Sequence, residues 1–221
     1  MSPPPGLLAR GPWAPDQIAC SWREEAFEPD PAVSAQADAA IASLRERGSP
    51  SHDGISGRLV GFTHTADGLA LEMQPVRWSL RLLDGAAESM AALCVTRDAD
   101  GRWLAGRRAP WLSSWAGRWA LGAGGAVDLA ESPVHTLTRE LQEEWAVVPE
   151  RLSVEALVRL PTGLILLIGL AHLPNGAEVV RDDEHDAHAW WPADIAEWPD
   201  EADEPLRRMA ALLTTATGGA A

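Results

Sequence analysis

Six residues in one short stretch carry the densest chemistry in this chain: Gly125, Glu131, Arg139, Glu140, Glu143 and Glu144, within GAVDLAESPVHTLTRELQEEWAV. On a helix Glu140 and Glu144 stand one turn apart with Glu143 beside them, so three carboxylates share a patch and repel one another by about a few tenths of a kcal/mol per pair. A divalent cation reverses that cost. Hard oxygen donors suit Mg2+ or Mn2+, which can bind carboxylates and substrate phosphates together and lower the pKa of an attacking water. Arg139, next to Glu140 and four residues before Glu143, is placed to hold a carboxylate in position. Glu131 can either accept from the free N–H groups at the helix start or pair with Arg139.

Those residues need a helix to carry them and a sheet to press it against. Ser132 is a suitable N-cap, Pro133 fits the first turn, and Val134, Leu137, Leu141 and Trp145 recur on one face. Before this helix, MAALCVTRD reads as a buried strand that turns at 98–101 into RWLAGRRA, and residues 118–122 and 125–128 read as extended. After it, strands are expected near 153–160, 164–172 and in AHAWW, then a short helix from Pro192 and a last helix over 204–214. Strands interleaved with helices predict an α/β sandwich with a mixed sheet.

The front of the chain reads differently. Residues 1 to about 30 are proline-rich and expected to form an irregular arm anchored by Trp13 and Trp22. A helix is expected over 31–47, followed by a small antiparallel sheet of three segments, 57–62, 69–73 and 76–82. The division is therefore a front α+β module over 1–88 and a main domain over 89–221.

The chain has 221 residues, a formal net charge of -14 and no lysine. That charge argues against a nucleic acid polymer as partner, and a phosphate substrate needs local help. Five arginines precede the glutamate-rich stretch: Arg97, Arg102, Arg107, Arg108 and Arg118. Each is either an exposed strand arginine or a fork for phosphate oxygens. Trp119, with Trp111 and Trp115 at four-residue intervals before it, either packs inside or stacks on a base or sugar. The two cysteines, Cys20 and Cys94, suggest neither a disulfide framework nor a thiolate metal site. With no secretory signal and no apolar run long enough for a bilayer, the expected setting is cytoplasmic, away from membranes. A homodimer stays open.

The spacing G-x5-E-x7-R-E-Leu-x-E-E-x-Ala-Val resembles the Nudix box, with Ala146 where the family has glycine. Either the helix ends there in a left-handed alanine, at about 1 kcal/mol, or it runs on to Val148 and stops at Pro149. The resemblance implies an α/β/α Nudix sandwich and a Mg2+-dependent hydrolase of nucleoside diphosphates linked to another group. It implies that Glu140, Glu143 and Glu144 bind metal with the carbonyl of Gly124 and an acidic residue of a later loop, for which Glu184 is preferred over Asp182, Asp183 and Asp186. The residues expected to carry catalysis are then Glu143, Glu144, Arg139 and Glu184, with Arg107, Arg108, Arg118 and Trp119 expected to bind substrate.

The substrate is read less directly. Pro161 falls near the position of a proline in the ADP-ribose and ADP-sugar branch, and this chain lacks the tyrosine of dinucleoside polyphosphate hydrolases. A nucleotide sugar such as ADP-ribose or UDP-glucose is therefore expected. The alternatives are a house-cleaning nucleoside triphosphate pyrophosphatase and a Nudix module that only senses ligands. Isopentenyl diphosphate isomerase resembles WLSSWAGRWALGAGG, but its catalytic cysteine is replaced here by Ala123 and Gly124.

Overall fold

The computed structural model describes residues 6–49, 52–112 and 114–215. The first residues of the expected arm, MSPPP, lie outside the described residues. The rest of that arm is not irregular. Strand β1 (Gly6–Trp13) runs antiparallel to the strand Arg151–Arg159 at the edge of the large sheet, and β2 (Ile18–Trp22) joins the small one. GLLARGPW lacks strand alternation and carries Pro12, yet an edge position tolerates a proline and the register shifts there between Arg10 and Trp13. Tertiary pairing makes this strand where local pattern does not.

Helix α1 (Pro31–Glu46) starts at Asp30, whose carboxylate accepts from the Ala32 N–H at 2.8 Å. Strands β3 (Ile55–Thr65) and β4 (Gly68–Arg77) form a hairpin, and β2 adds to β4 in parallel, so the small sheet is mixed rather than antiparallel. The segment 76–82 is not a third strand. Val76 and Arg77 end β4, and Trp78–Leu82 coils into a 3-10 turn because the Asp53 carboxylate takes the Ser79 N–H at 2.8 Å and pairs with Arg77. Pro75 interrupts nothing, since it lies past Met73, the last residue of β4 with a partner in β2.

The large sheet follows the expected elements: β5 (Met90–Arg97), β6 (Trp103–Arg108), β7 (Trp119–Leu121), β8 (Ala123–Ala126), β9 (Arg151–Arg159), β10 (Ile165–His172) and β11 (His185–Trp191). Its order is β1-β9-β10-β5-β6-β11, with β7 beside β6 and β8 beside β5, and the β10–β5 pair is parallel. Helix α2 (Pro133–Trp145) covers one face through Leu137, Leu141 and Trp145, and α3 (Glu204–Thr215) covers the other through Leu206, Ala210 and Leu213. This is an α/β/α sandwich with a mixed sheet and an added front α+β module. Cys94 sits inside it as a small hydrophobe, its thiol pushed up to about 12 by burial.

The residues before and after position 88 share both a sheet, since β1 lies in the large one, and a core. Leu59, Leu69, Leu71 and Met73 of the small sheet share one core with Leu137 and Trp145 of α2. The Gly57 N–H donates to the Val127 carbonyl at 2.7 Å, and Trp22 Nε1 donates to the Glu131 carbonyl at 3.1 Å. The front module therefore grips the loop that leads into α2. Among the described residues no helix is long and apolar enough to cross a membrane.

Candidate active site

The start of α2 is fixed by Ser132, whose hydroxyl accepts from the Val134 N–H at 3.3 Å, with Pro133 in the first turn. Its close seat on the sheet depends on Gly169, where an added Cβ would meet Leu137 at 2.7 Å. Its end is pinned by Trp145, which donates to the Gly122 carbonyl at 3.1 Å. Ala146 caps it in the left-handed region at φ 54°, the first of the two endings open in the sequence. With one face committed to the core, Arg139 and Glu140 lie partly covered at its flank, Glu143 is exposed and Glu144 is buried.

Arg139 is the hub of one half of this cluster. Its guanidinium donates to Glu131 from Nε at 2.8 Å and Nη2 at 3.1 Å, to Glu143 at 2.9 Å, and to the Ala126 carbonyl at 3.2 Å, with Glu140 at 2.7 Å. Glu131 also accepts from Thr136 at 2.7 Å and from the Asp128 N–H at 3.2 Å. Burial raises the pKa of Glu131, but the Arg139 and Thr136 hydrogen bonds outweigh it and hold this carboxyl down at about 2. Glu131 thus pairs with Arg139 rather than with the helix N–H groups.

The other half is unsettled. Burial pushes Glu140 up to about 7, with Glu143 and Glu184 adding repulsion against the pull of Arg139. Glu144, 3% exposed, is raised well above the usual carboxylate range by burial, although its Oε1 accepts from the Gly124 N–H at 2.9 Å. Its Oε2 is buried and has no hydrogen-bond partner, and His185 Nε2, 3.7 Å away, has none either. Glu184 is raised chiefly by burial while Arg108, 3.7 Å away, pulls it down. Its field reaches both Glu140 and Glu144. An orphaned buried oxygen among mutually repelling carboxylates fits a hard divalent cation. Gly125 leaves no space for a side chain, as a Cβ there would fall 2.1 Å from the Glu140 carboxylate. Among the described residues no three acidic, histidine or cysteine side chains converge into a formed metal cage; Arg139 ties up Glu140 and Glu143.

A cleft of roughly 600 Å³ opens beside this cluster, with Gly124, Gly125, Arg108 and Arg81 among its walls. Its remaining surface is largely aliphatic, from Leu93, Leu121, Val158, Leu166, Met209 and their neighbours. Of the four residues expected to meet substrate, Arg108 alone lines this cleft. Arg107 is engaged by Asp186 at 2.6 Å, Arg118 by Asp203, and Trp119 packs on Trp191 with ring centres 5.7 Å apart. Strand alternation explains the split, since neighbouring Arg107 and Arg108 on β6 face opposite sides. Glu140, Glu144, Glu184 and the Gly124 backbone come together, while Glu143 stays exposed on the rim, 57% accessible. Two residues escaped the sequence reading. His185 was hidden inside an acidic run, and Arg81 lies in a turn with no motif to mark it.

A NUDIX domain family model matches residues 88–213, and the chain belongs to this family. It is a Nudix hydrolase, a class that generally uses divalent metal ions. Similar solved structures include a MutT protein from Methanosarcina mazei Go1, at 21% identity over 59% of this chain and 95% of that one, TM-score 0.45. The NUDIX domain of Shewanella oneidensis NrtR, complexed with ADP ribose, gives 21% identity over 59% and 89%, TM-score 0.49. A C. elegans Ap4A hydrolase binary complex gives 21% over 57% and 95%, TM-score 0.45. No curated protein matches the chain.

Proposed function

We propose that this protein is a Mg2+- or Mn2+-dependent pyrophosphohydrolase that cleaves the diphosphate bridge of a nucleoside diphosphate joined to a second moiety, a nucleotide sugar such as ADP-ribose or UDP-glucose. The observation that carries the reading is the orphaned Glu144 oxygen, buried in the field of Glu140 and Glu184, with its other oxygen on Gly124, a residue of the cleft wall. Glu140 and Glu144, with the Gly124 carbonyl and either Glu143 or Glu184, would hold the ion. When bound, it supplies Lewis-acid polarisation of the diphosphate and a lowered pKa for water.

The chain's own groups do the rest. Arg139 fixes Glu131, Glu140 and Glu143, and the Gly124 N–H fixes Glu144. Arg108 offers a fork to phosphate oxygens. Glu184, with its raised pKa, is suited to accept a proton from water as a new P–O bond forms and the bridging P–O bond breaks, leaving two phosphorylated products. The apolar lining suits a base, and Leu160 and Leu164, which flank the turn that begins at Pro161, lie in the cleft wall. Hydrolysis of ADP-ribose, UDP-glucose, diadenosine tetraphosphate and an oxidised guanosine triphosphate at equal Mg2+ tests this. The nucleotide sugars should give the highest kcat/KM. A tenfold lead for either of the others removes the sugar-nucleotide reading, and no cleavage of any removes the activity.

A further inference from the structure

Arg81 comes from the front module, from the 3-10 turn Trp78–Leu82, yet it lines the same cleft as Gly124, Gly125 and Arg108 of the Nudix domain. Its position is over-determined. Before it, the Ser79 N–H is held by Asp53 at 2.8 Å, and Leu80 is buried in a small core with Ala37 and Val76. After it, the Gly85 N–H donates to the Thr162 carbonyl at 2.8 Å, which ties the segment to the turn carrying Leu160 and Leu164. Leu80 turns into the core, and Arg81, about a third of a turn on, lines the cleft. The guanidinium lies 5.4 Å from the centre of the Trp78 ring.

What Arg81 lacks is an anionic partner. No carboxylate stands within ion-pair distance of it among the described residues, while most of the chain's other arginines are paired. Its surroundings are charged all the same. Arg108 repels it, and Glu140 and Glu184 attract it from further off; burial is the larger effect and lowers its pKa. Arg81 is half-buried, and a cation in a cleft with no carboxylate beside it attracts an anion more strongly than one in open water. Two arginines held near each other in one cavity repel, and a polyanion between them reverses the sign.

We infer that Arg81 is a substrate-binding residue, a diphosphate ligand supplied by the front module, so that residues before the box complete the site. Its planar fork matches phosphate oxygens, and Trp78 shelves the guanidinium so that little freedom is lost on binding. The inference rests on the proposed diphosphate chemistry and adds that the front module is part of the binding site and not only a scaffold for it.

The test uses the full chain with Mg2+ and four forms: wild type, Arg81→Ala, Arg81→Gln and the hairpin control Arg102→Ala, whose arginine pairs with Asp98. Calorimetry measures binding of inorganic pyrophosphate and of α,β-methylene ADP, and hydrolysis of the nucleotide sugars is followed alongside. Loss of one charge-assisted contact should weaken binding and raise KM by roughly 10- to 100-fold in both Arg81 variants and leave Arg102→Ala as wild type. If Arg81→Ala does not fold, Arg81→Gln, which keeps the stem beside Trp78, decides. Folded variants that bind pyrophosphate as wild type does, or wild type that binds neither probe, overturn the inference. Wild type that binds both probes but hydrolyses nothing removes the proposed activity and leaves Arg81 to be judged by binding alone.

Discussion

The box carries two carboxylates at opposite ends of α2, Glu131 just before its N-cap and Glu144 in its last turn, and they differ in how fully their oxygens are paired. Glu131 is saturated, with Arg139, Thr136 and the Asp128 N–H on its oxygens and a pKa held at about 2. Glu144 has one backbone donor, an empty second oxygen and a pKa pushed up by burial. The first arrangement is what stability selects, because each acceptor is satisfied. The second is one that folding alone would avoid, and in a Nudix hydrolase it is where a cation is expected to bind. One motif thus contains a brace and a socket, and substitutions should separate them.

The largest separation is expected at the socket. Glu144→Gln keeps the Gly124 hydrogen bond and removes a buried charge, so the melting temperature should hold or rise while turnover falls by at least ~10^2. Turnover within tenfold of wild type would place the metal elsewhere. Glu184→Gln should come next, lowering kcat by more than it raises KM if this carboxylate takes the proton. Steady-state kinetics decide it, and a change in KM alone would make Glu184 a partner of Arg108 rather than a base.

At the brace the readout changes from rate to stability. Glu131→Gln should lower the melting temperature by a few degrees, at roughly 2–4 °C per kcal/mol for a chain of this size. Because the folded-state pKa of Glu131 lies below its unfolded value, the stabilisation is complete above about 4.5 and drains away as pH falls toward about 2. Melting curves from pH 6 to 2.5 should therefore converge for wild type and Glu131→Gln; parallel curves would dissolve the contrast. The smallest effect lies at the helix end, where Ala146→Gly relieves a left-handed alanine and should stabilise the fold by up to about 1 kcal/mol without altering kcat.

The sequence exposed the brace and the socket unequally. Helix α2 was legible because cap, proline and apolar spacing all agree, and Leu137, Leu141 and Trp145 are indeed fully buried. The pairing of Arg139 was half legible, since i+4 spacing names Glu143 but cannot choose what Glu131 does. Arg107 and Arg108 looked alike in sequence; only the register of β6 against β11 sends one to Asp186 and the other to the cleft. Strand β1 was invisible because its pairing with β9, some 145 positions away, is long-range and its local pattern is poor. Arg81 was out of reach for the same reason: its role depends on where the front module docks.

A magnesium titration followed by thermal melting of wild type, Glu131→Gln and Glu144→Gln puts brace and socket against each other directly. A ligand that binds only the folded state stabilises it by about 2.7 kcal/mol at a hundred times its dissociation constant. Wild type and Glu131→Gln should both rise with Mg2+, the latter from a lower starting temperature, and Glu144→Gln should stay flat. An equal rise in Glu144→Gln would contradict the account, because the ion would then be bound without the unpaired Glu144 oxygen.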